Sequence, residues 1–102
     1  MDFEWDENKR KKTLRERGID FIDATKIWKD PKRQERIDAR KDHGEVRMQT
    51  IGRVDFGILF VVYTERVYEN NEEVTRIISA RMANETDKEE YHKMTFHARK
   101  IS

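Results

Sequence analysis

Cysteine is absent from the chain, which excludes disulfides, thiolate metal sites and thiol nucleophiles. Proline occurs once, at Pro31, and glycine at Gly18, Gly44, Gly52 and Gly57, so there is neither a Pro/Gly-rich linker nor a Gly-rich phosphate loop. Serine occurs only as Ser79 and Ser102, and no nucleophile elbow is formed around either. The longest apolar run, Ile58–Tyr63, is far short of the ~18 residues a membrane-spanning helix needs. The start, Met1-Asp-Phe-Glu-Trp-Asp6, has no basic segment leading into an apolar one, so no secretory signal is expected. A cytoplasmic protein without membrane association fits these absences.

What is present is charge. Charged residues make up 42% of the 102-residue chain, against about 25% in an average domain, and mean hydropathy is -1.06. The net charge is only +1, and aromatic residues reach 10%, a composition that argues for a folded chain over a disordered one. The length suits one small domain spanning residues 1–102 with a thin core. The near-neutral total hides an uneven distribution: residues 26–53 carry +4, and Lys9-Arg10-Lys11-Lys12 forms a second basic block. Local positive patches on a neutral body suit a protein that meets phosphate in one place, although solvated lysines and arginines also keep small domains soluble.

The pattern along the chain predicts an α+β fold. Phe3-Glu4-Trp5 alternates as an edge strand would. Asp6 can cap a helix over 7–17, with Gly18 as its stop. Asp20 can cap a second helix burying Phe21, Ala24, Ile27 and Trp28, ended by Asp30-Pro31. Residues 32–43 read as a loop or a short strand. Val46, Met48, Thr50 and Val54 then alternate with Arg47, Gln49, Ile51 and Arg53. Asp55-Phe56-Gly57 turns the chain into Ile58–Tyr63, apolar on both faces as a central strand should be. Val74–Arg81 is the next strand. Thr86-x-x-Glu89 is a capping box opening a last helix that points Tyr91 and Met94 inward. These elements imply N-terminal helices packed on an antiparallel sheet of three to four strands, the helices gathered on one sheet face, with a C-terminal helix.

The chemistry-bearing residues left after the exclusions are arginines on strands. His43, His92 and His97 have no metal-ligand spacing, so no metal and no cofactor are expected. Arg47, Arg53, Arg66, Arg76 and Arg81 lie in or beside the predicted strands, and strand alternation projects them in groups. Arg47 shares a face with Gln49 and Arg53; Arg81 shares one with Ser79 and Thr75, whereas Arg76 falls on the other. Arginine is always charged and grips phosphate through a planar fork, so a cluster on a rigid sheet suits a phosphodiester. Each can equally be held by a carboxylate such as Glu45 or Glu65.

Several motifs together resemble the BrnT family of toxins: Phe3-Glu-Trp-Asp-x-x-Lys9, Arg17-Gly18-Ile19-x-Phe21, Asp30-Pro31, Gly44-Glu45-x-Arg47, Ile51-Gly52, Val61-Val-Tyr-Thr-Glu-Arg66, Arg76-Ile-Ile-Ser-Ala-Arg81 and Tyr91. The resemblance runs from Phe3 to about Tyr91. Two departures stand out: Arg17-Gly18 where the family commonly has His-Gly, and Met82 where it tends to have Arg or Lys. The resemblance implies a RelE-like ribonuclease of a type II toxin–antitoxin system. It also implies neutralisation by a BrnA-like antitoxin, with operator DNA contacted only through that antitoxin.

A metal-independent endoribonuclease needs a base for the 2′-hydroxyl, cations for the charge developing on phosphorus, and an acid for the 5′-oxygen. Arg47, Arg66 and Arg81 are the expected phosphate and transition-state binders, and Glu45 the expected base, with Tyr63 or His43 as weaker candidates. Lys9, Lys12, Arg40 and Arg53 are the expected RNA-binding cations. The Lys9–Lys12 helix is also a candidate antitoxin face. The rival readings are a non-catalytic RNA- or DNA-binding module, in which the same arginines only position phosphates, and a pure interaction protein.

Overall fold

A computed structural model describes residues 1–39 and 44–98. Its elements are β1 (Asp2–Trp5), α1 (Glu7–Arg17), α2 (Phe21–Ala24) continuing into a 3₁₀ segment (Thr25–Lys29), β2 (Gln34–Ile37), β3 (Met48–Val54), β4 (Gly57–Val67), β5 (Glu73–Met82), α3 (Glu85–Lys93) and a 3₁₀ turn (Phe96–Ala98). The helix boundaries follow local chemistry. The Asp6 side chain accepts the Lys9 N–H at the start of α1, and Gly18 (φ 72°) closes it with its N–H on the Leu14 carbonyl. The capping box of α3 is Asn84 with Asp87, two residues earlier than Thr86 with Glu89. Asn84 wins because its amide oxygen takes the Asp87 N–H at 2.8 Å while Asp87 returns a bond to the Asn84 N–H at 2.9 Å.

The sheet has five strands, not three to four, in the order β1-β5-β4-β3-β2. It is mixed rather than antiparallel: β1 runs parallel to β5, and the other pairs are antiparallel. The two strands that the meander left out are the short edges. β2 has Ile37 as its one apolar residue, and it is exposed, so it carried no hydrophobic alternation to find. β1 is parallel because α1 and α2 separate it from the meander and let it return beside β5.

The helices do not gather on one face. Leu59, Val61 and Tyr63 of β4 point to a core closed by Phe21, Ala24 and Ile27, hereafter the α2 face. Ile58, Phe60 and Val62 point to a second core closed by Tyr91 and Phe96, the α3 face. Burial on both faces is the reason β4 reads as an unbroken apolar run. Met94, expected inside, is exposed and ends α3 at positive φ.

Two local features position these layers. The 3₁₀ segment lies on β3 at Gly52, where an added Cβ would sit 2.7 Å from the Ile27 Cβ and 3.2 Å from its carbonyl oxygen. Both are stiff atoms, so Gly52→Ala is expected to cost about 1–3 kcal/mol, read as a lowered urea midpoint with an unchanged m-value. The second feature is a β-bulge in β5. Val62 pairs with Ser79 but Tyr63 pairs with Ile77, which leaves Ile78 as the extra residue.

The bulge changes which side chains share a face. In a regular strand, five residues of separation put Arg76 and Arg81 on opposite sides. Here Arg76 stands opposite Thr64 and Arg81 opposite Phe60, positions of the same parity on β4, so both face α3. Thr75, opposite Glu65, goes to the α2 face and leaves Ser79 as the neighbour of Arg81.

Candidate functional site

The α3 face is where the cations collect. At one end, Arg17 of α1, Arg36 of β2 and Arg81 of β5 line a cavity of about 340 Å³. Its floor is Gln49, Phe60, Val62 and Ser79, and Asn84 and Asp87 from the start of α3 form a wall. The Arg81 guanidinium stands 3.9 Å above the Phe60 ring centre, and that of Arg36 stands 3.7 Å above Phe96. The two rings meet edge to face at 6.0 Å, so both arginines rest on one aromatic platform.

Carboxylates of α3, one turn apart, hold the two arginines. Asp87 Oδ2 accepts from Arg81 Nη1 at 2.7 Å and is itself 3% exposed. Glu90 lies 3.7 Å from Arg36 Nη1, while Arg36 Nε donates to Gln49 Oε1 at 2.7 Å. The hydrogen bonds Arg81 makes among the described residues, to Asp87 and to the Met82 carbonyl, both use Nη1. Its Nε and Nη2 form the outer edge of the fork. Arg17 likewise spends Nη1 on the Ala80 carbonyl at 2.9 Å.

A second centre occupies the other end of the same face. Glu4 of β1 accepts from Tyr68 at 2.6 Å and from Arg76 Nη1 at 2.7 Å, and it lies 3.7 Å from Arg66 Nη1. Arg66 Nη2 also reaches both oxygens of Glu45 at 3.4 Å. The Tyr68 hydroxyl, aided by Arg76 and Arg66, holds Glu4 below the usual glutamate range against the opposing effect of desolvation.

Between the centres, Lys9 reaches in from α1. Lys9, Thr13 and Arg17 recur every fourth residue along one side of that helix. Desolvation lowers the Lys9 pKa, and the charge of Arg47 lowers it further, with smaller contributions from Arg76 and Arg17. Four like charges are thus gathered, with Asp6 acting on Lys9 in the opposite sense. The Lys9 side chain is itself exposed, so Lys9→Gln is expected to leave Tm within about 2 °C of the parent while weakening RNA binding; calorimetry and a binding titration check the two halves.

The predicted residues are therefore only partly brought together. Arg47, Arg66 and Glu45 belong to the second centre, with Lys9 beside them. Arg81 belongs to the first. Arg66 lies six residues along β4 from Phe60, the partner of Arg81, which is about 20 Å of strand. One phosphate cannot touch both. Tyr63 sits on the α2 face, donating to Glu35 Oε1 at 2.9 Å and packed 5.0 Å from Trp28, so it turns away from the groove. Burial, followed by Glu35, pushes its pKa well above that of a free phenol.

Lys12 is exposed on α1. Arg53 lies at a different corner, where it lines a cavity of about 490 Å³ with Lys26, Lys29, Asp30, Val54 and Asp55. That cavity is larger, but two carboxylates offset its three cations and none of the other candidates reaches it. Arg40 and His43 lie outside the described residues. Among the described residues, no group of three or more His, Asp or Glu is arranged to hold a metal ion, and no helix is long and apolar enough to cross a membrane.

Sequence reasoning missed Arg17, Arg36, Glu4 and Tyr68. Arg36 had a signal, since on a strand it shares a face with Gln34 and alternates with Glu35. Glu4 had one too, as the outward member of Phe3-Glu4-Trp5.

The family model for the ribonuclease toxin BrnT of type II toxin–antitoxin systems matches residues 5–87. That span includes Lys9, Glu45, Arg47, Arg66 and Arg81 and leaves out Glu4, Glu90 and Phe96. No match is found among curated proteins.

Proposed function

Since the chain belongs to the BrnT family of ribonuclease toxins of type II toxin–antitoxin systems, we propose that it is a metal-independent endoribonuclease whose substrate lies along the α3 face. The observation that carries this reading is the convergence of Lys9, Arg17, Arg36, Arg66, Arg76 and Arg81, from α1 and three different strands, onto one side of the sheet. Glu4, Glu45, Asp87 and Glu90 offset only part of that charge, and the excess of cations favours a polyanion.

The reaction fits the second centre best. Glu45, 3.4 Å from Arg66, takes the proton of a 2′-hydroxyl. The freed 2′-oxygen bonds to phosphorus as the bond from phosphorus to the 5′-oxygen breaks, and the leaving oxygen takes a proton from water or the Lys9 ammonium. Arg47, Arg66 and Lys9 meet the charge that develops on the phosphoryl oxygens, and this preorganised charge is the largest contribution asked of the protein. The products are a 2′,3′-cyclic phosphate and a 5′-hydroxyl.

In this reading the molecule is RelE-like, acts in the cytoplasm, stops translation by cutting message, and is silenced by a BrnA-like antitoxin that also carries operator binding. Incubating purified protein with RNA in excess EDTA tests the catalytic core of the proposal. Cleavage to cyclic-phosphate ends supports it, and RNA retained intact favours the non-catalytic binding alternative. No effect on RNA, naked or on ribosomes, would sink both.

A further inference from the structure

We infer that the cavity of Arg17, Arg36 and Arg81 is a nucleotide-anchoring subsite separate from the scissile phosphate, so that the substrate is a single strand held at two points about 20 Å apart. The inference rests on the ribonuclease reading and adds to it the strandedness and minimum length of the RNA.

Three observations carry it. The first is the separation itself. Arg66 lies six residues along β4 from the partner of Arg81, and the β5 bulge keeps Arg76 and Arg81 on one side, so the two centres belong to one continuous face. At 3.4 Å per phosphate in a stacked strand, about 20 Å corresponds to about six phosphates, and an extended strand covers it with fewer.

The second is the make-up of the cavity. Arg36 and Arg81 each lay a guanidinium on a phenyl ring and each line the same space. The Arg81 side chain is 37% exposed, so its guanidinium can meet a base on the side away from Phe60, while Arg36 adds charge to the wall. Ser79, Gln49 and Asn84 line the space as well and supply donors and acceptors for a base edge. About 340 Å³ is the scale of a small-ligand pocket, enough for one nucleoside unit.

The third is its walls. Arg17 at the end of α1 and Asn84 and Asp87 at the start of α3 flank the sheet floor. A base must leave its stack to enter between them. A paired duplex keeps its bases stacked, and its deep major groove is closed to side chains, so the cavity selects unpaired RNA.

The test is binding of 5′-fluorescein 2′-O-methyl RNA of random sequence, which lacks the 2′-hydroxyl nucleophile, in lengths of two and eight nucleotides. The octamer is expected to bind at least about 100-fold tighter than the dinucleotide, which has a single phosphate and reaches one centre only. Arg81→Lys and Arg66→Lys should each weaken octamer binding about tenfold, and the losses should multiply in the double variant, as they do for sites that share no partner. Lysine keeps a cation beside the buried Asp87, so folding is preserved while the fork is lost.

Losses that fail to multiply, equal affinity for both lengths, or competition by a twenty-base-pair RNA duplex as good as by single strands would each overturn the inference. The two readings fail separately. Multiplying losses without cleavage of ordinary RNA would refute the nuclease and leave the two-point strand site. Cleavage with no dependence on length would refute the anchoring subsite alone.

Discussion

Arg66→Ala is expected to lower the kcat/KM of RNA cleavage by roughly 10²–10³-fold, the range seen when one preorganised charge partner of a transition state is removed. The same substitution should leave Tm within about 3 °C of the parent, because half-exposed ion pairs contribute little to folding. The Arg66 side chain is 37% exposed; without it Arg76 still holds Glu4 at 2.7 Å, with the Tyr68 hydroxyl at 2.6 Å, and Glu45, 34% exposed, turns to water. A large activity loss on an intact fold is the signature of a residue that meets developing charge. If cleavage persisted within threefold, the second centre would not be where phosphorus reacts. Arg66→Lys separates charge from geometry, since a lysine restores the charge without the planar fork.

Phe96→Ala carries the largest expected effect on folding. Phe96 is fully buried, meets Phe60 edge to face, and supports the Arg36 guanidinium at 3.7 Å. Its N–H donates to Gln34 Oε1 at 3.0 Å, and its carbonyl accepts from Arg36 at 3.3 Å. Truncating a buried phenylalanine costs about 3–5 kcal/mol. In a small domain of ordinary stability that removes a third or more of the total, and Tm should fall by about 15 °C or more. Thermal unfolding followed by circular dichroism checks this. The residue lies beyond the 5–87 match, so a protein cut back to that span should be equally unstable. A Tm loss under 5 °C would mean that the second core does not depend on the 3₁₀ turn.

These two residues also show what a linear reading can and cannot see. The first helix was legible because Asp6 and Gly18 act on neighbours only a few residues away. The apolar run of β4 was legible because burial on both faces leaves no polar residue in it. The face of Tyr63 was legible too: three residues from Arg66, it has the opposite parity. The bulge was not. Val74–Arg81 reads as a regular strand, and only the pairing of Ser79 with Val62 and Ile77 with Tyr63 reveals the extra residue.

The candidate site suffered most from this. Arg47, Arg66 and Arg81 were singled out as arginines in or beside strands, yet their sequence positions carry no distance, and the face is long enough to separate two centres. Arg36 was passed over because its strand has a single apolar residue, and its partners Phe96 and Glu90 are more than 50 residues away in sequence. Glu4 was passed over because the parallel pairing of β1 with β5, which sets it beside Arg76, joins the two ends of the chain.

The central claim is that RNA lies on the α3 face. Arginine side-chain Nε–H resonances report it directly, because Arg33 supplies an internal control on the α2 face, 4.9 Å from the Trp28 ring. On adding the non-cleavable octamer, the signals of Arg36, Arg66, Arg76 and Arg81 are expected to move together while that of Arg33 stays in place. Movement confined to Arg33 would contradict the account.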